Sequence, residues 1–535
     1  MGFFLDDWQA KRWVAPEFKE MGKGTGGEMG GDVVVTIDPG EVITRIPNSI
    51  YGHNANTWMS AMITEPVFMR HVNDLHPHVI RWPAGSGSDG YWWNRAPGNP
   101  PDDAPKMVLD QNGKKKNVAY FYGRPFGGRS GSLDAYYEMR RETGNEGLIT
   151  VNYGYARYGT GPHPVETAAH YAADWVRYDR GRTRYWEVGN ENYGFWELGF
   201  RIDTTQNKDG QPEILTGELY ATHFKVFADS MRAAAKELGV TIYIGAVTAE
   251  SKPMPFDTKT RKTWNPEMLK VLGGAVGSGG GVADYYVVHN YFTPYKKNST
   301  AAEVLHDAAT VPQEQMSFVL RSLAEAGAPV KPVAMGEWNM FATGSMQQVS
   351  ETSGLFADIV IGETLKNKYG LACRWDMLNS WEGGNDHGLF SAGDEQGVTR
   401  WSPRPSFYHL YFLQKMQGDR LVATVSGDSS ILAYGTTFTS GEVNVTLVNV
   451  SSMTRTVRFE GKGYKLGKRF YWYTLSRGAD NVEFSRQVVV NGEGPSAVAG
   501  GPDDYATIPA WSAPAAGGIR VTVPAYGAVF LTVGK

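Results

Sequence analysis

Two acidic residues stand close together in the segment RYWEVGNENYGFWELG, residues 184–199. Glu187 falls inside a predicted strand that ends at Val188, where an acid is expected to form an ion pair or hydrogen bonds within the fold. Glu191 falls just after that strand. A carboxyl group beyond a strand end can exchange a proton with a bound ligand or attack it. Glu191 is therefore the candidate for chemistry, and Glu187 is expected to be structural.

A second acid has an equivalent position in PVAMGEWNMF, where Glu337 follows an apolar run and precedes Trp338 and Asn339. Two carboxyl groups in one cleft suit the hydrolysis of a glycosidic bond, because one protonates the leaving oxygen while the other attacks the sugar or activates water. Their environments must separate the two pKa values. We predict that Glu191 and Glu337 meet in one cleft.

Three further polar residues lie beside predicted strand ends. Asn190, directly before Glu191, is placed to hydrogen-bond a sugar hydroxyl next to the reacting carbon, an interaction that strengthens in the transition state. His289 and Tyr291, in VVHNYF, can donate hydrogen bonds to the nucleophile or to the sugar. For His289, a buried structural role is the alternative.

Eight short segments rich in β-branched and aromatic residues predict strands at 49–53, 78–82, 148–153, 183–188, 241–246, 284–289, 332–337 and 371–377. Helical patterns such as 218–238 and 353–370 lie between them. Eight strand-helix units predict an α/β fold, a (β/α)8 TIM barrel rather than an open doubly wound sheet. Catalytic groups of such barrels lie where the strands end and the loops begin.

The pattern changes near residue 420 to alternating strands and turns, which predicts a C-terminal, jelly-roll-like β-sandwich over 420–535. We predict a catalytic barrel over 48–419, a strand within 31–47 that joins the sandwich, and a flexible lead-in over 1–30. The segment 94–132 is too long for an ordinary connection, so we expect it to be functional or disordered.

Charge and composition exclude several partners. Lys+Arg number 52 and Asp+Glu 56, a net charge of −4 without a broad basic field, so no nucleic-acid partner is predicted. No apolar run approaches the roughly 20 residues that span a membrane, so no membrane partner is predicted. The single cysteine, Cys373, excludes an internal disulfide and a multi-cysteine metal site. The N-terminus is not a secretory signal; a secreted or periplasmic location is favoured if a signal has been removed, and a cytoplasmic one otherwise.

Five motifs in this order, RWPAGSGSDGYWWN, ITVNYG, YWEVGNENYGFWE, VVHNYF and GEWNMF, resemble the retaining glycoside hydrolases of clan A. They are most similar to family 51, which contains α-L-arabinofuranosidases and some endoglucanases. The resemblance implies that Glu191 is the general acid/base, with Asn190 beside it, and that Glu337 is the nucleophile. It also implies that Arg81 hydrogen-bonds the nucleophile. An oligo- or polysaccharide substrate, a covalent glycosyl-enzyme and no metal or organic cofactor follow from the same resemblance.

Two loops depart from the family pattern. GHNANTW stands where the arabinofuranosidases usually have a glycine-rich segment with a furanose-binding Glu, and PAGSGSDGYWW replaces a sequence close to PGG. Tryptophans near loop ends can instead line a longer groove, with core packing as the alternative for each: Trp58, Trp92, Trp93, Trp196, Trp338 and Trp381. We therefore predict an endo-acting β-glycanase that hydrolyses a cell-wall polysaccharide. The alternatives are an exo-acting α-L-arabinofuranosidase and a non-catalytic carbohydrate-binding barrel.

Two other clusters resemble metal sites only superficially. HVNDLHPHV (71–79) has no zinc-ligand spacing and is predicted to be a loop that leads into the second strand. WEGGNDHGLFSAGDE (381–395) can bind sugar hydroxyls or Ca²⁺, or can be a turn-rich loop without a ligand.

Overall fold

The computed structural model describes residues 1–21, 33–83, 85–125, 131–273, 283–295, 297–341, 346–465, 467–481 and 483–535. Over these residues the helices are, in chain order, α1 (Pro66–Leu75), α2 (Leu133–Thr143), α3 (Gly154–Tyr158), α4 (Pro164–Asp179), α5 (Gly217–Leu238), α6 (Lys259–Leu272), α7 (Ala301–Glu325), α8 (Glu351–Lys366) and α9 (Pro405–Met416). None of these helices is both long enough and apolar enough to cross a membrane.

The strands up to residue 379 are β1 (Phe18–Glu20), β2 (Val33–Arg45), β3 (Gly52–Asn54), β4 (Val79–Trp82), β5 (Tyr91–Trp92), β6 (Met107–Leu109), β7 (Lys115–Asn117), β8 (Phe121–Tyr122), β9 (Glu146–Val151), β10 (Tyr185–Val188), β11 (Tyr243–Val247), β12 (Tyr285–Tyr291), β13 (Val333–Asn339), β14 (Leu371–Arg374) and β15 (Leu378–Asn379). The later strands are β16 (Phe390–Ser391), β17 (Arg420–Ser426), β18 (Ile431–Thr437), β19 (Val443–Asn449), β20 (Arg455–Gly461), β21 (Arg469–Arg477), β22 (Val488–Val490), β23 (Ala510–Pro514), β24 (Ile519–Val523) and β25 (Gly527–Val533).

Eight parallel strands, β3, β4 and β9 to β14, close into a barrel in chain order, and β14 pairs with β3 to complete it. Helices occupy the connections between successive barrel strands from β3 onward. Each of the eight predicted strands overlaps one of these barrel strands, so the predicted (β/α)8 barrel is confirmed. The fold therefore gathers the C-terminal strand ends at one rim.

The barrel wall is irregular near this rim. β12 shifts its register against β13 between Val288 and His289, and β13 shifts against β14 between Met335 and Trp338. Such bulges re-aim side chains and are common beside active sites. A Cβ atom at Gly336 would lie only 2.7 Å from His289 Nε2, so glycine makes room there for the imidazole.

The second unit is one 11-stranded sheet in the order β1-β23-β21-β25-β19-β18-β17-β2-β20-β24, with β22 paired to β21. Its inward apolar side chains form a core of their own, as in a β-sandwich. β2 lies inside this sheet between β17 and β20. The sheet joins the barrel through bonds such as that from Tyr434 O–H to Glu363 Oε1 (3.0 Å). The predicted sheet-rich C-terminal region is confirmed.

The first 21 residues are folded against the rest of the chain, so the prediction of a flexible lead-in is wrong for them. Phe4 is fully buried at the N-terminal end of the barrel, with ring centroids 4.9 Å from Tyr185 and 5.5 Å from Tyr285. β1 pairs with β23. Both partners are distant in sequence, so local composition gave no signal of them. Residues 22–30 of the predicted lead-in lie outside the described residues.

The long segment 94–132 has structure of its own. β6 and β7 form a hairpin, and β8 pairs with β5. Tyr155 O–H in α3 donates to Asp103 Oδ1 (2.6 Å), and Thr160 N–H donates to the Asp103 carbonyl (2.8 Å). The described part of the segment therefore packs against α3, in the loop that follows β9; its residues 126–130 lie outside the described ranges.

Candidate active site

The loop after β10 carries the first acid in an unusual backbone conformation. Gly189 has φ 81° and Glu191 has φ 42°, both in the left-handed region. A Cβ at Gly189 would lie 2.0 Å from Asn192 Oδ1, so only glycine fits. Glu191 has a side chain and adopts a conformation that costs about 1–3 kcal/mol, a kind of strain that concentrates at functional sites.

Arg81 on β4 is the centre of the site. Its side chain is fully buried and donates to four residues: Glu187 Oε2 (2.8 Å), Glu337 Oε1 (2.8 Å), Asn190 Oδ1 (2.9 Å) and Asn54 Oδ1 (3.0 Å). Burial by itself lowers the pKa of Arg81, but the charges of Glu187 and Glu337 outweigh it and raise the pKa. One guanidinium therefore fixes groups from β3, β10, β13 and the loop after β10.

Glu337 on β13 is almost completely buried and has a donor on each oxygen. Arg81 Nη1 donates to Oε1, and Tyr291 O–H donates to Oε2 at 2.7 Å. Burial and the nearby carboxylates raise the pKa of Tyr291 well above its usual value, so it stays a neutral donor. These two bonds hold the Glu337 carboxyl group in place and restrict its rotation.

Glu191 and His289 form a close pair, in which His289 Nδ1 lies 2.8 Å from Glu191 Oε1. Burial raises the pKa of Glu191, but the hydrogen bond and charge of His289, followed by Trp196 and Arg81, lower it overall. Burial lowers the pKa of His289, but Glu337 and Glu191 outweigh it and raise the pKa overall. In the free protein the pair therefore holds its proton on His289, within one hydrogen bond of Glu191.

One carboxylate oxygen of Glu191, one of Glu337 and a ring nitrogen of His289 lie within 4.8 Å of one another. Retaining glycosidases hold their carboxyl groups about 5–5.5 Å apart, and inverting ones about 6.5–9.5 Å apart. The same three groups are also suitable ligands for a divalent cation. Arg81 already places a positive charge 2.8 Å from Glu337, which disfavours a second cation. The metal-free site stays a prediction.

Asn190 is held on both sides of its amide. Its Oδ1 accepts from Arg81, and its Nδ2 donates to Glu197 Oε1 (3.0 Å), which also accepts from Ser86 O–H (2.7 Å). Among the described residues Glu197 is the one acceptor for Nδ2, so the second hydrogen of Nδ2 can bind a ligand. Burial raises the pKa of Glu197 well above its usual value and that of nearby Asp89 to about 7. Sequence reasoning missed Glu197, although it lies in the same GNENYGFWE motif.

Of the six tryptophans that can be sugar platforms, Trp196 is the one that hydrogen-bonds a candidate catalytic acid. It is 49% exposed, and its Nε1–H donates to Glu191 Oε2 (3.2 Å). Trp381 instead lies over the guanidinium groups of Arg404 and Arg486, 5.3 and 5.2 Å from its ring centroid. These ring contacts therefore belong to the junction with the sheet.

Trp92, Trp93 and Trp338 are core residues, so the structure corrects their interpretation as platforms; Trp92 is 0% exposed. Trp93 is 6% exposed and stacks on Trp175 of α4 at 5.9 Å. Trp338 is 1% exposed and packs on Phe356 of α8. Successive strand residues face opposite sides, so Trp338 must point away from the barrel interior once Glu337 points into it.

The structure adds Trp375 and Asp376, which sequence reasoning did not select. Trp375 follows β14, contacts Trp58 edge-on (6.2 Å), and approaches Gly85 so closely that a Cβ there would lie 2.5 Å from its ring. Asp376 is fully buried and accepts a bond from Asn56. Its pKa is raised by burial first and then by nearby acids. The sequence signal that could have identified them is RWD (374–376), near the end of the eighth predicted strand. It matches RWP (81–83) at the end of the second predicted strand.

No protein family defined by sequence matches this chain, and no curated protein resembles it in sequence. Solved structures do resemble it in fold. A GH51 α-L-arabinofuranosidase from Thermotoga petrophila RKU-1 has a TM-score of 0.63 and 17% identity, over 94% of this chain and 100% of that one. CelM2, a bifunctional glucanase-xylanase from a metagenome library, has a TM-score of 0.60 and 12% identity, over 94% and 99%.

A third similar structure is a Paenibacillus polymyxa xyloglucanase of glycoside hydrolase family 44, with a TM-score of 0.59 and 11% identity over 95% of this chain and 100% of that one. At these identities the likeness establishes the fold. The chain has the fold of the clan A glycoside hydrolases over both the barrel and the sheet. The resemblance that the motifs indicated, family 51 included, is thus confirmed at the level of fold.

Proposed function

We propose that this protein is a retaining glycoside hydrolase that cleaves an oligo- or polysaccharide by double displacement. The observation that carries the proposal is the approach of Glu191, Glu337 and His289 within 4.8 Å at the barrel rim. That approach fits the short carboxyl separation of retaining enzymes. The fold likeness supports the same class of reaction.

In the first step Glu337 is the nucleophile and Glu191 the acid. A carboxylate oxygen of Glu337 attacks the anomeric carbon, the bond to the leaving oxygen breaks, and Glu191 passes to that oxygen the proton that it takes from His289. Arg81 and Tyr291 hold the attacking group in place. The products are a glycosyl ester on Glu337 and a free alcohol.

In the second step Glu191 takes a proton from water, the water oxygen attacks the anomeric carbon, and Glu337 leaves as a carboxylate. The free Nδ2 hydrogen of Asn190 is available for a sugar hydroxyl in both steps. Two inversions at one carbon give net retention.

The proton shared by Glu191 and His289 determines where we expect kcat/KM to fall on the alkaline side of its pH profile, the alkaline limb. The pKa of His289 is raised above 6.5, and below that pKa the pair holds the proton that the leaving oxygen needs. As pH rises through that pKa, the pair loses the proton and kcat/KM falls. Glu191, Glu337 and Arg81 are the charged groups that face His289. We expect His289→Gln to move the limb about one unit or more toward acid, since it then follows a carboxylic acid.

The measurement is kcat/KM against pH for the wild type and the variant, with His306→Gln, an exposed histidine on α7, as the matched control. The control should keep the wild-type limb. An unchanged limb in His289→Gln would show that the pair does not supply the catalytic proton.

The finer proposal is an endo-acting β-glycanase acting on a cell-wall polysaccharide. Exposed aromatic side chains lie in loops on several sides of the rim: Trp58 (38% exposed), Phe195 (41%), Trp196 (49%) and Tyr295 (66%). Aromatic faces bind the apolar faces of sugar rings. Several of them around one rim favour a chain of sugars over a single terminal residue.

An exo-acting α-L-arabinofuranosidase is the second candidate, because an α-L-arabinofuranosidase of family 51 is among the similar folds. A non-catalytic carbohydrate-binding barrel is disfavoured, because it has no use for two buried carboxylates beside a buried Arg81.

The test is hydrolysis of a panel comprising aryl α-L-arabinofuranoside, aryl β-glucoside, soluble β-glucans, xylan, mannan and galactans, with product anomers followed by proton NMR. We expect the product to form first with the configuration of the substrate. Initial inversion would refute double displacement. Rapid loss of polymer viscosity supports endo action, whereas release of monosaccharide alone supports the exo-acting alternative.

A further inference from the structure

The loop after β4 is hydrogen-bonded to the loop that carries Glu191. Ser86 O–H donates to Glu197 Oε1 (2.7 Å), and Asp89 Oδ2 accepts from Asn192 Nδ2 (2.7 Å). Ser86 and Asp89 belong to PAGSGSDGYWW, one of the two segments that depart from the family 51 pattern. Neither residue takes part in the double displacement described above. The departure therefore has a structural consequence, because it holds the loop after β10 from the side of β4.

Glu197 lies between these two loops, and its carboxyl group is buried. The residue is 4% exposed, and its Oε1 accepts from Asn190 Nδ2 (3.0 Å) as well as from Ser86. Its Oε2 has no hydrogen-bond partner among the described residues. Burial, followed by the charges of Asp89 and Glu191, raises the pKa of Glu197 well above its usual value. A neutral carboxylic acid fits these contacts, with Oε1 as the carbonyl oxygen that accepts both bonds.

The Asn190 amide is held at two points. Arg81 Nη2 donates to its Oδ1 (2.9 Å), and its Nδ2 donates to Glu197 Oε1. Turning the amide over would set its NH₂ group against the guanidinium, two donors without an acceptor. Arg81 thus decides which way round the amide lies, and Glu197 fixes its plane by taking one of the Nδ2 hydrogens. The direction of the second Nδ2 hydrogen depends on both contacts.

We propose that Glu197 is a positioning residue, which holds the Asn190 amide so that its second Nδ2 hydrogen meets the sugar hydroxyl next to the reacting carbon. The inference rests on the proposed glycosidase function and deepens it. The hydrogen bond to that hydroxyl strengthens in the transition state, so correct placement of its donor raises kcat more than it lowers KM. Glu197 acts through Asn190 and needs no contact with the substrate.

Glu197→Met tests the proposal, because Met has a similar length and offers only a weak acceptor. The substrates are the aryl glycoside that the wild type hydrolyses best and its 2-deoxy analogue, which lacks the hydroxyl in question. We expect kcat/KM to fall about tenfold or more for the full glycoside, mainly through kcat, and less than about twofold for the analogue. Glu197→Gln should restore most of the loss, because its amide keeps a carbonyl oxygen and resembles the neutral acid.

Asn190→Ala supplies a second readout. In this background Glu197→Met should lower kcat/KM for the full glycoside less than about twofold, because the group that Glu197 positions is already gone. A purely structural contribution of Glu197 would persist in the Asn190→Ala background and would affect both substrates alike.

Glu363→Met is the matched control, because it replaces another buried glutamate, 6% exposed, which binds Tyr434 on the sheet. It should lower Tm without changing the ratio of kcat/KM for the two substrates. If Glu197→Met is too unstable to assay, Ser86→Ala takes its place, since Ser86 is exposed and donates to the same oxygen of Glu197. The expected loss is then about threefold for the full glycoside, with kcat/KM for the analogue unchanged.

Unchanged kcat/KM for the full glycoside, equal losses on the two substrates, or an undiminished loss in the Asn190→Ala background would each overturn the positioning role. A wild type that hydrolyses no glycoside at all would refute the proposed function instead, so the two failures are distinguishable.

Discussion

Glu337→Gln should lower kcat/KM by about 10⁴-fold or more, because an amide cannot form the glycosyl ester through which the reaction passes. The variant should still fold. Gln has nearly the same shape as Glu, its Oε1 can still accept from Arg81, and Arg81 keeps its ion pair with Glu187. Rates on the best substrate of the panel, with circular dichroism and Tm, check the two expectations separately.

The matched control is Glu187→Gln, which removes the other buried carboxylate of Arg81. Glu187 Oε2 contacts Arg81 and Thr150 O–H and has no reacting group beside it. We expect this variant to lose stability but to retain covalent labelling by a 2-deoxy-2-fluoro glycoside, with the label on Glu337. Activity above about 1% in Glu337→Gln, or a label elsewhere, would end the nucleophile assignment.

Glu191→Ala should lower kcat about 10²–10⁴-fold on substrates with poor leaving groups, the usual contribution of a general acid or base. With an activated aryl leaving group the first step needs little protonation, so the glycosyl-enzyme should accumulate. Azide should then restore turnover, because a small anion fits the space left by the carboxyl group and attacks without a base. The product should be a glycosyl azide with the configuration of the substrate.

Glu382→Ala, an exposed glutamate in the loop after the eighth barrel strand, is the control and should change nothing with or without azide. The acid/base role would be contradicted if azide did not rescue Glu191→Ala and if this variant hydrolysed substrates with poor leaving groups at the normal rate. Azide rescue in Glu337→Ala, where the carboxyl group is removed, with inverted product would instead confirm that the two acids have separate roles.

Much of the barrel could be predicted from local pattern. Short apolar strands alternate with helical segments such as 218–238, and in the structure α5 covers that same stretch. The strand ends placed Glu191 and Glu337 at one rim without any knowledge of contacts, because parallel strands of a closed barrel all end on the same side.

Other features needed the folded chain. Trp93 and Trp338 lie in aromatic-rich segments of the sequence, as sugar-binding tryptophans often do. Packing against α4 and α8 places them in the core instead. Phe4 lies near the start of the given sequence, and its partners on β10 and β12 are far along the chain. The local sequence pattern contains no information on such distant contacts. It therefore predicted a flexible N-terminal segment, and sugar platforms at Trp93 and Trp338.

The sequence by itself determined the acids, their order and the strands that carry them. Only the tertiary structure decided their separation and the location of the proton between Glu191 and His289. The physical reason is that a pKa depends on burial and on charges a few ångströms away. Those charges come from β4, β12 and β13, which are neighbours of the loop that carries Glu191 only once the barrel has closed.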